Sequence, residues 1–150
     1  MRAVIQRVTH ASVAVDGEVK SEIGNGLLIL LGVEEADGQE DVEWLARKIA
    51  NLRVFDDEDG VMNRSIVDCG GEFLVISQFT LFASYKKGNR PSWFRAARHE
   101  ISIPLYEMFC EKLANESQLP VRTGEFGAYM QVELLNDGPV TICMDTKNKE

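Results

Sequence analysis

MRAVIQRVTHASVAVDGEVKSEIGNGLLILLGV, residues Met1 to Val33, contains three strand patterns and the glycine signals that separate them. Apolar residues at Ala3 and Ile5, and further on at Val13 and Val15, alternate with polar ones, the period of a strand with one face on a core. Asp16-Gly17 is a hairpin signal, because a two-residue turn between strands needs residues that tolerate positive φ. It leads into Glu18 to Ile23. Gly24-Asn25-Gly26 then reads as a turn into LLILLGV, Leu27 to Val33, whose continuous apolar character belongs to a buried strand. The opening quarter is therefore predicted to be antiparallel sheet.

Farther along, Asp37 reads as a helix cap with Glu40 three residues on, followed by Val42, Leu45, Ile49 and Leu52 at helical spacing, with Trp44 extending the apolar face. DDEDG, Asp56 to Gly60, lacks the alternating ligands and closing glutamate of a calcium loop and reads as a solvated hairpin turn. EFLVISQFTLFA, Glu72 to Ala83, reads as a strand with polar members Ser77, Gln78 and Thr80. A second helix is expected to start at Pro104, the favoured first position, and to bury Leu105, Met108, Phe109 and Leu113. FGAYMQVELLNDGPVTICM, Phe126 to Met144, reads as two strands around a connection from Asn136 to Pro139. Gly138-Pro139 stands where sheets tolerate it least. Two readings are open: an ordinary turn, or a backbone held in an unusual geometry to touch a ligand, since glycine permits close approach and X-Pro bonds adopt cis at small cost.

The 150 residues suit one domain with its own core. Sixteen basic and twenty-four acidic residues give a net charge of -8, so an anionic partner has to be met by a local patch. Cys69, Cys110 and Cys143 are unpaired by spacing and are expected to be core thiols in a reducing compartment. The longest apolar run, Leu27 to Leu31, is far too short to cross a bilayer, and the amino terminus lacks a signal-peptide core, so no membrane and a cytoplasmic location are expected. The chain has no nucleophile-elbow, zinc-protease, P-loop or dinucleotide glycine signature, and His10 and His99 alone give a metal site little to build on. No metal and no cofactor are expected.

Phe73 to His99 holds no Asp or Glu, although 24 of the 150 residues are acidic. Within it lie Lys86, Lys87, Arg90, Arg95 and Arg98, interleaved with Tyr85, Trp93 and Phe94. One reading is a cradle for phosphates with aromatics for base stacking; the other is a basic loop whose charges pair with the acidic helix. In the same stretch, Ser77-Gln78-Phe79-Thr80 is read either as hydrogen-bonding groups at a sheet edge or as the lining of a pocket.

SQFTL at Ser77 to Leu81 and NDGPVT at Asn136 to Thr141 resemble the paired motifs of the D-aminoacyl-tRNA deacylases. The similarity extends to MRAVIQRV and the following ASV, to GNGLLILLGV, to GNRPS at Gly88 to Ser92 and to TGEFGAYMQVELLNDGPVT, nearly the whole chain. The resemblance implies hydrolysis of the ester joining a D-amino acid, or glycine, to tRNA, with L-aminoacyl-tRNA left intact. It implies a homodimer with active sites at the interface, in which Ser77, Gln78, Phe79 and Thr80 form the catalytic pocket. Gly138-Pro139, with a cis bond, would enter the partner's pocket as the chiral gate, and Arg7 would buttress that segment. Lys86, Lys87 and Arg90 are the candidate tRNA contacts. Trp93 stands where the family carries Phe, and FRAARHEIS is more basic than the family's usual segment. The expected fold is α+β: one domain over residues 1–150, a mostly antiparallel barrel-like sheet with two main helices packed on it, and a frayed polar tail over residues 146–150. The alternatives are a non-catalytic tRNA- or RNA-binding module, and a serine or cysteine hydrolase of small esters.

Overall fold

Strand β1, Arg2–Val15, is paired along both of its edges and organises the molecule. In the computed structural model, which describes residues 1–150, the hairpin at Asp16-Gly17 has φ of 51° and 80°, the positive values such a turn requires. It returns β2, Glu18–Ile23, antiparallel to the far end of β1, from Val15 opposite Glu18 to Ala11 opposite Ile23. β3, Gly26–Gly32, then pairs with the near end of the same edge, from Val8 opposite Gly26 to Arg2 opposite Gly32. The strands β2 and β3 thus lie end to end and run the same way. Gly24-Asn25-Gly26, expected to turn the chain, carries it straight on, with the register against β1 unchanged from Ile23 opposite Ala11 to Gly26 opposite Val8. Glycine at position 26 has a steric reason, because a Cβ there would lie 1.9 Å from the Glu72 carbonyl oxygen of the neighbouring strand.

Helix α1, Gln39–Ala50, buries Val42, Leu45 and Ile49 as its periodicity predicts. Its cap is Gly38 rather than Asp37: the Gly38 N–H donates to Asp41 Oδ2 at 3.0 Å. The Asp37 carboxylate is engaged elsewhere, accepting from the Met1 ammonium at 2.5 Å and from the Glu34 N–H at 2.8 Å. Short strands β4, Phe55–Asp56, and β5, Met62–Arg64, form the solvated hairpin, whose turn is held by Asp57 Oδ1 accepting from the Asp59 and Val61 N–H groups. A single-turn helix α2, Ile66–Cys69, follows, capped by Ser65 and stopped by Gly70 at φ 74°.

β6, Glu72–Ser77, pairs parallel with β3, and its strand character stops at Ser77. Phe79–Phe82 is a 3-10 turn, so SQFTL is a strand end that bends away rather than the continuous strand expected. Helix α3 spans His99–Ser117 and begins five residues before Pro104, because the Arg98 carbonyl already accepts the Ile101 and Ser102 N–H groups. Pro104 is exposed, where the carbonyl it leaves unpaired meets solvent. Phe109 and Leu113 are buried as predicted, whereas Leu105 and Met108 are only partly so. β7, Val121–Thr123, adds parallel to β6, and β8, Met130–Asp145, runs antiparallel along the second edge of β1.

The fold is α+β, a mixed and nearly closed sheet with α1 and α3 packed on it. β3 is apolar on both faces because both are covered: Leu27, Ile29 and Leu31 enter the core beneath the helices with Phe73, Leu45 and Phe109, while Leu28 joins Val8, Val13, Leu74 and Ile76 in a second cluster inside the curled sheet. The cysteines are not core thiols, since Cys69 and Cys143 are exposed and Cys110 is partly buried. The carboxyl-terminal tail is anchored at its start: Thr146 is buried with its hydroxyl accepting from the Met1 ammonium at 2.7 Å, and Lys147 Nζ donates to Asp41 at 2.7 Å. No helix is long and apolar enough to cross a membrane.

Gly26→Ala drives a Cβ into main chain rather than into a yielding side chain. It is expected to lower stability by about 1–3 kcal/mol, the range for forced overpacking, read as a shift of the urea midpoint, with amide protection falling first where β3 meets β6.

Candidate active site

A cleft of about 730 Å³ opens where β6 ends, between the amino-terminal end of α3 and the connection from β7 to β8. Ser77, Gln78 and Phe79 form one wall, Ala96 to Glu100 another, and Phe126 to Met130 a third. Its floor is apolar, with Leu31, Val33 and Ile76 beneath Tyr106. The Tyr106 hydroxyl donates to the Val75 carbonyl at 2.8 Å, and burial, with Cys110 beside it, pushes its pKa well above the usual phenol value. Burial likewise pushes the Cys110 thiol up to about 12, which removes it as a thiolate nucleophile. Phe126 stands edge-on to both Tyr106 and His99, at centroid separations of 5.5 and 5.7 Å.

Of the four SQFT residues, three line this cleft and Thr80 does not. The Thr80 hydroxyl instead accepts from the Gln78 side-chain amide. Neither Ser77 nor Thr80 is hydrogen-bonded to a histidine or a carboxylate, so the arrangement contains no activated hydroxyl of the triad kind. What the wall does offer is main chain. Gln78 is tied back by its N–H to the Leu31 carbonyl at 2.8 Å, and the N–H groups of Phe79 and Thr80, as the first of a 3-10 turn, have no acceptor within that turn.

The Asn136-to-Pro139 segment is not a hairpin turn. β8 continues past it in one direction, with Asn136 opposite Val8 and Thr141 opposite Gln6, so four residues, Asp137 to Val140, stand against Arg7 alone and bulge from the ladder. The Gly138-Pro139 peptide in this bulge is cis. Asn136 spans its base, Oδ1 accepting from the Val140 N–H at 2.9 Å and Nδ2 donating to Thr141 Oγ1 at 3.1 Å. Gly138 has φ 130°, and a Cβ there would sit 2.8 Å from Val140 Cγ2 and 3.2 Å from Arg7 Nη2. Arg7 is buried at 7% exposure behind the bulge. Its Nε donates to the Asp137 carbonyl at 3.1 Å, and Nη1 to the Val54 carbonyl at 2.7 Å and to Asp56 at 3.2 Å.

Gly138 and Pro139 are exposed and do not line the cleft of their own chain. β8 itself reaches the cleft at Met130 and Val132, and Gly138 lies six residues beyond Val132 along the strand. Lys86, Lys87 and Arg90 are exposed on a loop closed by paired hydrogen bonds between Ser84 and Ser92, of 2.8 and 2.9 Å. No acid pairs with them, whereas Arg95 and Arg98 are taken by Glu34 and Glu35 at 3.1 and 3.2 Å. Arg95 and Arg98 thus pair with acids of the segment before α1 rather than with the helix itself, and the three loop cations have no acidic partner. The loop reaches the cleft through Trp93, whose ring meets Phe79 edge-on at 5.3 Å. Sequence reasoning misses Tyr106, His99 and Phe126: Tyr106 on the buried stripe of α3 looks like any core residue, His99 is exposed at the start of that helix, and Phe126 lies in the connection from β7 to β8, where Gly124 and Gly127 are the available signal.

Fold and cleft define a small α+β protein whose candidate chemistry rests on main chain at a strand end, beside a cationic loop. The chain belongs to the D-Tyr-tRNA(Tyr) deacylase family, whose model matches residues 4–145. Proteins named D-aminoacyl-tRNA deacylase from Bacteroides thetaiotaomicron and Porphyromonas gingivalis are 67% and 60% identical to it over 150 residues, the full length of both chains in each pair. Among solved structures, a c-Myc DNA unwinding element binding protein superposes with a TM-score of 0.90 at 47% identity, covering 97% of this chain and 98% of its own. A probable eukaryotic D-amino acid tRNA deacylase shares the fold at a TM-score of 0.80 and 15% identity, over 95% of this chain and 97% of its own.

Arg7→Ala leaves the Val54 and Asp137 carbonyls without their charged donor. Stability is expected to fall by about 1.5–3 kcal/mol in chemical denaturation, the range for a hydrogen-bonded charge at a buried position.

Proposed function

We propose that the protein hydrolyses the ester of D-aminoacyl-tRNA and of glycyl-tRNA, and that two copies of the chain assemble so that Gly138-Pro139 of each enters the other's cleft. The observation that carries the reading is the pairing of a main-chain-walled cleft with an exposed, rigidly braced Gly-Pro bulge in a chain of this family. A site that accepts any D side chain has to read the substituents of the alpha carbon instead. Fixed carbonyls suit the task, because they accept from the substrate ammonium and crowd an L side chain. Glycine has no side chain to exclude and passes the same filter.

Two placements support the assembly. The outer edge of β8 has no strand partner, and the bulge on it lies six residues beyond Val132, where β8 lines the cleft of its own chain. For the chemistry, the N–H groups of Phe79 and Thr80 are assigned to the developing oxyanion, with water as the nucleophile. Ribose is a tolerable leaving group, so this asks less than amide hydrolysis. Ser77 and Gln78 shape the pocket wall and Arg7 holds the gate.

The reading is tested by incubating the protein with tRNA charged with D- or L-tyrosine. Release of D-tyrosine alone is expected. Gly138→Ala, which sets a Cβ against Val140 and Arg7 at the gate, is expected to lower the D-over-L ratio by tenfold or more, about 1.4 kcal/mol of discrimination, while the protein stays folded. A protein that shifts tRNA mobility and releases no amino acid would instead be a binding module.

Lys86, Lys87 and Arg90 are assigned to tRNA phosphates because they alone of the basic stretch lack acidic partners. Replacing all three with Ala is expected to weaken tRNA binding and to reduce the slope of log K against log salt by about 2, roughly 0.7 for each phosphate no longer neutralised. An unchanged slope would remove the loop from the binding surface.

A further inference from the structure

We infer that Arg2 is a positioning residue for the turn that carries the assigned oxyanion donors, an inference that rests on the functional reading above. Arg2 Nη1 donates to the Leu81 carbonyl at 2.9 Å, the far end of the turn whose near end presents the Phe79 and Thr80 N–H groups. That carbonyl sits where a short helix ends and its acceptors go begging. The next available N–H, that of Ser84, is already committed to Ser92 at 2.8 Å.

The guanidinium is itself fixed from two further sides. Its Nε donates to Asp145 Oδ2 at 2.8 Å, and its Cζ lies 4.8 Å from the centroid of the Phe82 ring. Phe82 belongs to the same turn and is 1% exposed. Arg95 lies over the same ring at 5.4 Å and is held by Glu34 at 3.1 Å. A ladder from Asp145 through Arg2, Phe82 and Arg95 to Glu34 therefore joins the end of β8 to the turn and to the Ala96–Glu100 wall of the cleft.

The physical consequence concerns direction. Four residues of 3-10 turn are held by few internal bonds: Leu81 N–H to the Gln78 carbonyl at 3.3 Å and Ala83 N–H to that of Thr80 at 3.1 Å. Without the hold on Leu81 and Phe82 the turn rotates about its attachment at Gln78, and both donor N–H groups swing with it. Donors stabilise an oxyanion only when aimed in advance, and a displacement of about 1 Å is enough to lose on the order of a hundredfold in rate. Lysine cannot substitute, since one ammonium cannot reach a carboxylate, a carbonyl and a ring face with the planar fork of arginine.

The test compares Arg2→Ala, Arg2→Lys and a control, Arg122→Ala, which removes an exposed ion pair to Glu72 far from the turn. Steady-state hydrolysis of D-tyrosyl-tRNA is measured together with amide hydrogen exchange. Arg2→Ala is expected to lower kcat by about ten- to a hundredfold with KM changed by less than about threefold, the pattern of a missing transition-state interaction. Arg2→Lys recovers less than half of that loss on a logarithmic scale, and the control matches wild type. Exchange is expected to quicken at Leu81 and Ala83, whose N–H groups close the turn, and to stay unchanged in β6. A kcat within about twofold of wild type overturns the inference, as does unaltered exchange at the turn, or exchange that quickens equally through β6, which would mark Arg2 as a general stabiliser. If wild type itself releases no D-tyrosine, the functional reading fails, and exchange at the turn still decides whether Arg2 holds it.

Discussion

Occupation of both edges of β1 constrains nearly everything else. Residues Arg2 to Val15 face β2 and β3 on one side and β8 on the other. A partner strand with residues in excess cannot slip past such a spine, because a shift of one residue would turn its apolar set to solvent. The excess has to leave the ladder locally. On one edge it leaves at Lys20, the extra residue between Ser21 opposite Val13 and Val19 opposite Ala14, and on the other as the four residues opposite Arg7. The Gly-Pro bulge is thus the place where β8 carries more chain than β1 can pair, and its direction is set by the strand it departs from.

Arg7 fills the space that such a bulge opens behind itself. A buried guanidinium needs its donors engaged, and here two carbonyls, from Val54 and Asp137, and the carboxylates of Asp56 and Asp137 engage them. The β4 strand and its approach are therefore coupled to the bulge through one side chain. A strand arginine at this position has little freedom to move unless the β4 hairpin moves too, which is a physical account of how an exposed loop of four residues keeps one shape.

Legibility from sequence follows the range of the interaction concerned. The Asp16-Gly17 hairpin and the apolar stripe of α1 are set by neighbours along the chain and are readable. Gly24-Asn25-Gly26 misleads because turn chemistry reports permitted dihedrals, not whether the chain reverses. Asp37 has the right type and place for a cap, but a long-range ion pair with the Met1 ammonium claims it. Pro104 reads as a helix start because its preference is real, while its exposure, which makes an interior position tolerable, is a tertiary fact. SQFTL looks like strand since its apolar members alternate; it bends because β3, its parallel partner, ends at Gly32 and leaves nothing to pair with beyond Ser77. In the basic stretch, composition does not separate Arg95 and Arg98, which neutralise Glu34 and Glu35, from the three cations left free.

The absence of every side-chain signature of catalysis is itself explicable. Motif searches find acids, bases and nucleophiles, but N–H and carbonyl groups belong to every residue and leave a trace in sequence only through the glycines, prolines and turn ends that aim them. Ser77-Gln78-Phe79-Thr80 and Asn136-Asp137-Gly138-Pro139 are such traces: one is a strand that runs out of partner, the other a strand with too much chain. Each exposes main chain that sheet pairing would otherwise consume, and each is fixed by an arginine from β1, Arg2 at the Leu81 carbonyl and Arg7 at the Asp137 carbonyl. Five residues apart on one strand, the two guanidiniums hold the two pieces of backbone that the proposed reaction uses, one for the oxyanion and one for the alpha carbon. In the proposed pair of chains, β1 of each copy would brace the donors of its own site and the gate of its neighbour's.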